Sequence, residues 1–175
     1  QMCIRDRVHR AQASVFDVAK KLPAYAGYLV DKEVETLSSV KDNPEHPYVV
    51  VLGGSKVSDK LGVIEALAEK ADKIIIGGGM CYTFLAAQGH NVQKSLLQED
   101  MVDTCKELIE RFGDKLLLPV DVAAGAEFDK DTEKKVVGLD EIPEGWMGLD
   151  IGPETAKSYA EAIKDSKTCL LYTSD

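Results

Sequence analysis

Tyr48-Val-Val-Val-Leu52 is a short apolar run rich in β-branched residues, and Gly53-Gly54 follows it directly. Such a run is typical of a strand that is buried on both faces of a parallel sheet. Lys73-Ile-Ile-Ile76 repeats the pattern and is followed by Gly77-Gly-Gly79. A segment with helical periodicity comes after each run. The repeated pattern therefore predicts consecutive βα units joined by right-handed crossovers.

Predicted helices and strands alternate along the chain both before and after the second predicted strand. Residues 61–71 and 80–88 are predicted helices, and residues 98–112 have the clearest i, i+3, i+4 apolar spacing. Lys115-Leu-Leu-Leu-Pro-Val120 is the third predicted strand. The predicted fold class is α/β, a Rossmann-like three-layer αβα arrangement with a mostly parallel, incomplete sheet. In such sheets, ligands bind beyond the carboxyl ends of the strands.

The segments outside this core are predicted as follows. Residues 23–40 form one long helix, and residues 123–146 form a polar stretch with an exposed turn at residues 129–135. Pro153 begins a last helix at the position that proline favours. The apolar face predicted for that helix consists of Ala156, Tyr159, Ala160 and Ile163. Residues 1–7 and 169–175 match no neighbouring pattern, so we expect them to be non-native ends.

Composition excludes several classes of function. The net charge of −9 opposes non-specific nucleic-acid binding, which needs lysine and arginine to neutralise phosphates. No apolar run approaches the roughly 18 residues of a membrane span. The four cysteines have no C-x-x-C spacing, and Cys105 is expected to be a small core residue. We therefore expect a reduced, cytoplasmic protein with neither nucleic acid nor membrane as a partner.

The glycine- and lysine-containing stretch Gly53-Gly-Ser-Lys56-Val-Ser-Asp-Lys60 is the sharpest functional feature. The spacing of four predicts that Lys56 and Lys60 share a face of the first helical turn. Two cations oppose the usual charge preference at a helix start, and a bound phosphate would balance them. A solvated surface turn, with Asp59 compensating Lys60, fits the spacing equally well. Neither a Walker A loop nor a G-x-G-x-x-G fingerprint is present.

Other positions give weaker signals with two interpretations each. His9-Arg10 is either an anion-binding pair or ordinary surface, and Gly77-Gly-Gly79 is either a ligand contact or a tight turn. Asp121 directly follows the third predicted strand, and it is either a metal ligand or a capping residue. Gly152-Pro153 either directs helix N–H groups toward a ligand or simply starts a helix.

Several motifs in matching order make the chain resemble the phosphoglycerate kinase family, over about residues 8–168. They are Val49-Val-Val-Leu-Gly-Gly-Ser-Lys-Val-Ser-Asp-Lys-Leu61, Ile75-Ile-Gly-Gly-Gly-Met80, Thr83-Phe-Leu-Ala-Ala-Gln-Gly-His90, Lys94-Ser-Leu96, Leu118-Pro-Val-Asp121, Leu149-Asp-Ile-Gly-Pro153 and, before the long helix, His9-Arg-Ala-Gln-Ala-Ser14. The resemblance implies a two-lobed monomeric enzyme of glycolysis. Such an enzyme transfers a phosphoryl group reversibly between 1,3-bisphosphoglycerate and Mg-ADP, giving 3-phosphoglycerate and ATP.

The resemblance also implies a domain organisation. Residues 8–22 would be a remnant of the glycerate lobe, residues 23–44 the interdomain helix and linker, and residues 45–168 part of the nucleotide-binding lobe. Most of the glycerate lobe would lie outside this chain. The family would continue after Thr168 with W-N-G-P and G-G-D-T segments, where the chain instead has Cys169-Leu-Leu-Tyr-Thr-Ser-Asp175. We therefore expect the chain alone to be inactive.

Residue roles can be transferred from the same motifs. Lys56 would be catalytic and stabilise the transferring phosphoryl group, and Lys60 would contact the α-phosphate. Arg10 would bind the phosphate of the glycerate substrate or help support the closed state. The residues implied in nucleotide binding are Gly53, Lys56, Lys60, Gly77, Gly78, Leu96 and Gly152. The ligands of the Mg²⁺ that accompanies ADP or ATP would lie outside the chain.

Two other interpretations compete with this one. A different nucleotide-binding α/β enzyme, such as a dehydrogenase, would need a phosphate fingerprint and an acidic residue about 20 positions later. The glycine spacing opposes that class. A non-enzymatic remnant that binds no ligand is the second alternative, and the unmatched ends favour it for this chain.

Overall fold

The computed structural model describes residues 13–172, which fall into two units divided between Asn43 and Pro44. In the first unit, a π-helical turn at Ala13–Asp17 precedes helix α1, Tyr28–Asp42. The long helix predicted from residue 23 thus begins five residues later, after Gly27 in an extended conformation. None of the α1 residues is buried, so its predicted apolar stripe packs on no core within that unit.

The second unit contains two sheets and four helices among its described residues. The strands are β1 (Tyr48–Leu52), β2 (Lys73–Ile76), β3 (Leu116–Leu117), β4 (Asp121–Gly125), β5 (Lys134–Gly138), β6 (Met147–Ile151) and β7 (Thr168–Tyr172). The helices are α2 (Leu61–Ala68), α3 (Cys81–Ala87), α4 (Val102–Phe112, after a 3₁₀ turn at Glu99–Met101) and α5 (Pro153–Lys164). One sheet is parallel with the order β3-β2-β1-β7, and the other is antiparallel with the order β5-β4-β6.

The first two predicted strands are confirmed. β1 and β2 are neighbours in the parallel sheet, with Val49 opposite Lys73 and Leu52 opposite Ile76. Val50 and Ile74 are fully buried, as the continuous apolar runs predict for strands covered on both faces. This register brings both strands to an end at the same level of the sheet.

The third predicted strand is shorter than expected. β3 contains only Leu116 and Leu117, whereas the pattern predicted residues 115–120. Pro119 has no backbone N–H and cannot continue a ladder, so pairing ends before it. The chain then enters the other sheet at Asp121.

Residues 123–146, predicted as a polar stretch with an exposed turn, also contain strand β5 and most of strand β4. β4 pairs with β5 through Val122 opposite Val137, and the side chains of Val122, Ala124 and Val137 are buried. Four of the five β4 residues are buried, and most of them are too small to stand out as an apolar run in the sequence. The turn between β4 and β5 is exposed, as expected.

The segment excluded as a non-native end contributes a strand. Residues 169–172 belong to β7, which pairs in parallel with β1, so that Tyr48 lies opposite Thr168 and Leu52 opposite Tyr172. The expectation that these residues match no neighbouring pattern was wrong for the fold, because the apolar run Cys169-Leu-Leu-Tyr172 satisfies the open hydrogen-bonding edge of β1. The non-native origin of residues 169–175 stays a prediction.

Helix α5 packs on the parallel sheet with a face one residue away from the one predicted. Its buried residues are Thr155, Tyr159 and Ala162, whereas Ala156, Ala160 and Ile163 are exposed. Tyr159 lies in a core cluster with Val49 and Ile75, and its hydroxyl can donate to Ile76 O at 2.9 Å. The need of this buried hydroxyl for an acceptor sets the rotation of the helix.

The structure also tests the expectations about Cys105 and about membrane spans. Cys105 is buried as predicted, and burial raises the pKa of its thiol to about 12. Among residues 13–172, the helices lack the combined length and apolar character that a bilayer crossing requires.

Candidate functional site

Two glycine turns meet at the carboxyl ends of β1 and β2. Gly77 N donates to Leu52 O at 2.8 Å, and Met80 N donates to Gly54 O at 2.9 Å. Gly78 has a φ of 65°, and a Cβ on it would lie 2.8 Å from both the N and the O atom of Gly54. Only glycine fits this approach of two backbones.

A cleft of about 550 Å³ lies above these turns. Its backbone-lined floor comes from Gly54, Ser55, Gly78 and Gly79. The side chains that surround it are largely apolar: Tyr82, Leu96, Phe128, Met147 and Leu149, together with Lys94 and the backbone of Gly148. A pocket with apolar walls and a few polar groups is the usual form of a small-molecule site.

Close packing against glycine also shapes the walls. A Cβ on Gly79 would lie 2.6 Å from Cδ2 of Leu96, and a Cβ on Gly148 would overlap the Tyr82 hydroxyl. Gly148 N donates to Oγ of the buried Ser95 at 2.8 Å. Leu96 itself remains half-exposed at the cleft. Glycine at these two positions therefore leaves room for the side chains of Leu96 and Tyr82.

The predicted nucleotide-binding residues are only partly brought together. Gly78 and Leu96 line the cleft, whereas Gly53, Gly77 and Gly152 do not. Sequence reasoning missed Gly54, Gly148 and Tyr82. Gly54 lies in the glycine- and lysine-containing stretch that begins at Gly53, but Gly148 lies in β6, a strand that no local pattern in the sequence predicts.

Lys56 and Lys60 do not share a helical turn, which corrects the sequence prediction. Helix α2 begins only at Leu61, because Lys60 N donates to Val57 O at 2.9 Å and closes a tight turn before the helix. Lys56 is exposed. The side chain of Lys60 is buried, with Nζ 4.4 Å from the centroid of the Tyr172 ring. Within residues 13–172, neither ammonium group has an acidic partner at ion-pair distance.

Asp121 is the cap of helix α5, the second of its two predicted roles. Its carboxylate accepts hydrogen bonds from Thr155 N at 2.8 Å, Glu154 N at 3.0 Å and Thr155 Oγ1 at 2.6 Å. Burial acts to raise the pKa of Asp121, but the hydrogen bonds from Thr155 and Glu154 outweigh it and hold the pKa below its usual value. The N–H groups of the first helical turn are thus occupied, and Gly152-Pro153 is a plain helix start.

The remaining predictions concern the His9-Arg10 pair and a metal site. His9 and Arg10 lie outside the described residues. In the part of the chain that the structure describes, no three histidine, cysteine or acidic side chains converge as a metal site would require.

Comparison with known proteins identifies the family. The family model described as phosphoglycerate kinase matches residues 6–173. The chain belongs to the phosphoglycerate kinase family. It is 74% identical over 161 residues to phosphoglycerate kinase of Corynebacterium aurimucosum and 68% identical over 161 residues to that of Corynebacterium glutamicum, in each case over 92% of this chain and 40% of the relative.

Solved phosphoglycerate kinases have the same fold over this region. The structure from Coxiella burnetii matches with a TM-score of 0.80 and 38% identity, over 83% of this chain and 38% of that one. The structure from Pyrococcus horikoshii matches with a TM-score of 0.77 and 26% identity, over 94% of this chain and 43% of that one. The predicted α/β fold class is confirmed. The chain spans about 40% of the length of the curated phosphoglycerate kinases it matches.

Replacing Asp121 with alanine should lower the free energy of unfolding by about 1–2 kcal/mol near neutral pH, because two N–H groups at the start of α5 lose their acceptor. The difference from the unmutated chain should shrink as the pH falls below about 4, since a carboxylate with a lowered folded-state pKa loses its contribution when it is protonated. Urea unfolding at pH 7 and pH 3.5 measures both effects. Glu161→Ala, an exposed change on the same helix, is the control; equal losses in the two variants would contradict the capping role.

Proposed function

We propose that the cleft binds ADP or ATP and belongs to an enzyme that transfers a phosphoryl group between 1,3-bisphosphoglycerate and Mg-ADP, giving 3-phosphoglycerate and ATP. The observation that carries the proposal is the glycine-floored, apolar-walled cleft at the carboxyl ends of two adjacent parallel strands. Nucleotides bind at this edge in open α/β sheets. Membership of the phosphoglycerate kinase family supports the choice of reaction.

The base and ribose fit the apolar part of the cleft. Gly54, Gly78 and Gly79 carry no side chains, so a planar ring can lie directly on the backbone. Leu96 and Leu149 supply apolar contacts to the ring. This assignment keeps Gly78 and Leu96 from the sequence prediction and places Gly54 and Gly148 at the base in preference to Gly53 and Gly152.

The phosphates would extend toward the loop that carries Lys56 and Lys60. Phosphoryl transfer spreads negative charge over the equatorial oxygens, and a cation placed there lowers the barrier. Lys56 is exposed and has no acidic partner among the described residues, so its charge is available to the transferring group. We assign Lys56 the catalytic role and Lys60 the contact with the α-phosphate.

The rest of the reaction depends on groups outside the described residues. The glycerate substrate would be bound by the other lobe, to which Arg10 would contribute, and Mg²⁺ would arrive with the nucleotide. We further propose that the enzyme is a cytoplasmic monomer. A single lobe can neither align both substrates nor exclude water from the transferring phosphoryl group.

The test of the binding site is titration calorimetry of the chain with ADP. Leu96→Asp places a carboxylate in the apolar wall, and repulsion from the phosphates together with lost contact should weaken ADP binding at least about tenfold. Val136→Asp is the matched control, since Val136 is similarly exposed but lies on β5 away from the cleft. Equal ADP affinities for Leu96→Asp and the unmutated chain would overturn the assignment of the cleft.

A second prediction concerns the ring over Lys60. Tyr172→Ala should strengthen ADP binding about threefold to tenfold, because an ammonium released from a cation–π contact becomes free to bind phosphate. The gain should vanish in the double variant Lys60→Ala/Tyr172→Ala, which a double-mutant cycle by calorimetry measures. If Tyr172→Ala strengthens ADP binding even when Lys60 is replaced, the Tyr172 ring does not act through Lys60.

A third prediction concerns activity. The chain alone should give no 3-phosphoglycerate-dependent turnover of ATP in a coupled assay, because it spans only about 40% of the length of the curated phosphoglycerate kinases it matches. A full-length relative such as the Corynebacterium glutamicum enzyme is the positive control. Turnover by the 175-residue chain itself would refute this prediction.

A further inference from the structure

The amide of Gln98 holds the turn that lies between Lys56 and Lys60. Its Oε1 accepts hydrogen bonds from Val57 N at 2.6 Å and Ser58 N at 3.2 Å. Its Nε2 donates to Ser58 Oγ at 3.1 Å. One side chain thus contacts two consecutive residues of the loop, 40 and 41 positions away in sequence.

These contacts matter because, among the described residues, the loop itself offers no acceptor to Val57 N or Ser58 N. Residues 53–57 have neither helical nor strand structure, and α2 begins only at Leu61. Among the described residues, the hydrogen bonds of Val57 N and Ser58 N go to Gln98 alone. Val57 also buries its side chain completely, so its N–H lies at the edge of the core. A donor there that loses its acceptor is costly.

Gln98 is itself held in place from two directions. Its backbone N donates to Oγ1 of the buried Thr83, on helix α3, at 3.2 Å. Two residues earlier, Leu96 packs on Gly79 in the floor of the cleft. The segment that forms one wall of the cleft therefore also fixes the lysine-bearing loop.

We propose that Gln98 is a positioning residue for phosphate binding, which sets the place of Lys56 and Lys60 relative to the cleft by clamping the Val57–Ser58 turn. The proposal rests on the nucleotide site proposed above. A neutral amide suits the task, because it accepts two N–H bonds without adding negative charge beside the phosphates. A glutamate would supply the same acceptor but would repel the anion.

The test combines amide hydrogen exchange with ligand titration on the 175-residue chain, and NMR measures both. Gln98→Met keeps the length of the side chain and removes its hydrogen bonds. Gln98→Glu keeps the acceptor oxygen and adds charge. Gln88→Met is the matched control, since the Gln88 side chain is exposed and makes no hydrogen bond with the described residues. Gln98→Asn, one methylene shorter, replaces Gln98→Met if that variant does not fold.

In Gln98→Met, exchange of the Val57 and Ser58 amides should accelerate about fivefold to tenfold, the effect of one lost hydrogen bond, while exchange at Ile75 stays unchanged. ADP binding should weaken by a similar factor, whereas adenosine, which carries no phosphate, should bind as before. Gln98→Glu should restore slow exchange but not ADP affinity. This separation of exchange from affinity is not expected of a residue that only stabilises the fold.

Unchanged exchange at Val57 and Ser58 in Gln98→Met, or equal weakening of ADP and adenosine, would overturn the positioning role. If the unmutated chain binds neither ADP nor adenosine while Gln98→Met still accelerates exchange at the turn, the clamp is supported and the proposed nucleotide site is refuted. The two hypotheses can therefore fail separately.

Discussion

The close approach of Gly78 to Gly54 is the constraint on which the cleft depends. The register of the parallel sheet sets Leu52 opposite Ile76, so the chain leaves both strands at one level. The hydrogen bond from Met80 N to Gly54 O then ties the two turns together, and there is no room for a side chain between them. A flat backbone surface at a sheet edge is the result, and such a surface can accept a planar ring.

The fold could be predicted from the sequence where a local pattern suffices. Tyr48–Leu52 and Lys73–Ile76 are continuous apolar runs that end in glycine, and both are strands. The antiparallel sheet could not be predicted, because β4 pairs with β5 through small residues whose burial depends on a long-range partner. Thr168–Tyr172 is a strand because β1 offers an unpaired edge, a property of the folded sheet that no short window of sequence contains.

The site was predicted less completely than the fold. Family motifs identified Gly78 and Leu96, but which neighbouring glycine faces the cleft depends on backbone direction, and Gly54 rather than Gly53 lies there. The spacing of Lys56 and Lys60 predicted a shared helical turn, and the hydrogen bond from Lys60 N to Val57 O instead delays the helix. The contact of Lys60 with Tyr172 brings together residues 112 positions apart and leaves no trace in local sequence.

The contacts that shape the cleft come from separate segments, and residues 94–98 connect them. Lys94 N donates to Trp146 O, Ser95 accepts from Gly148 N, Leu96 packs on Gly79 and Gln98 holds the Val57–Ser58 turn. This segment has no regular secondary structure, so its conformation is fixed by these contacts and not by a ladder of its own. All of them lie within residues 44–172. The contacts that form the cleft therefore all come from this one unit.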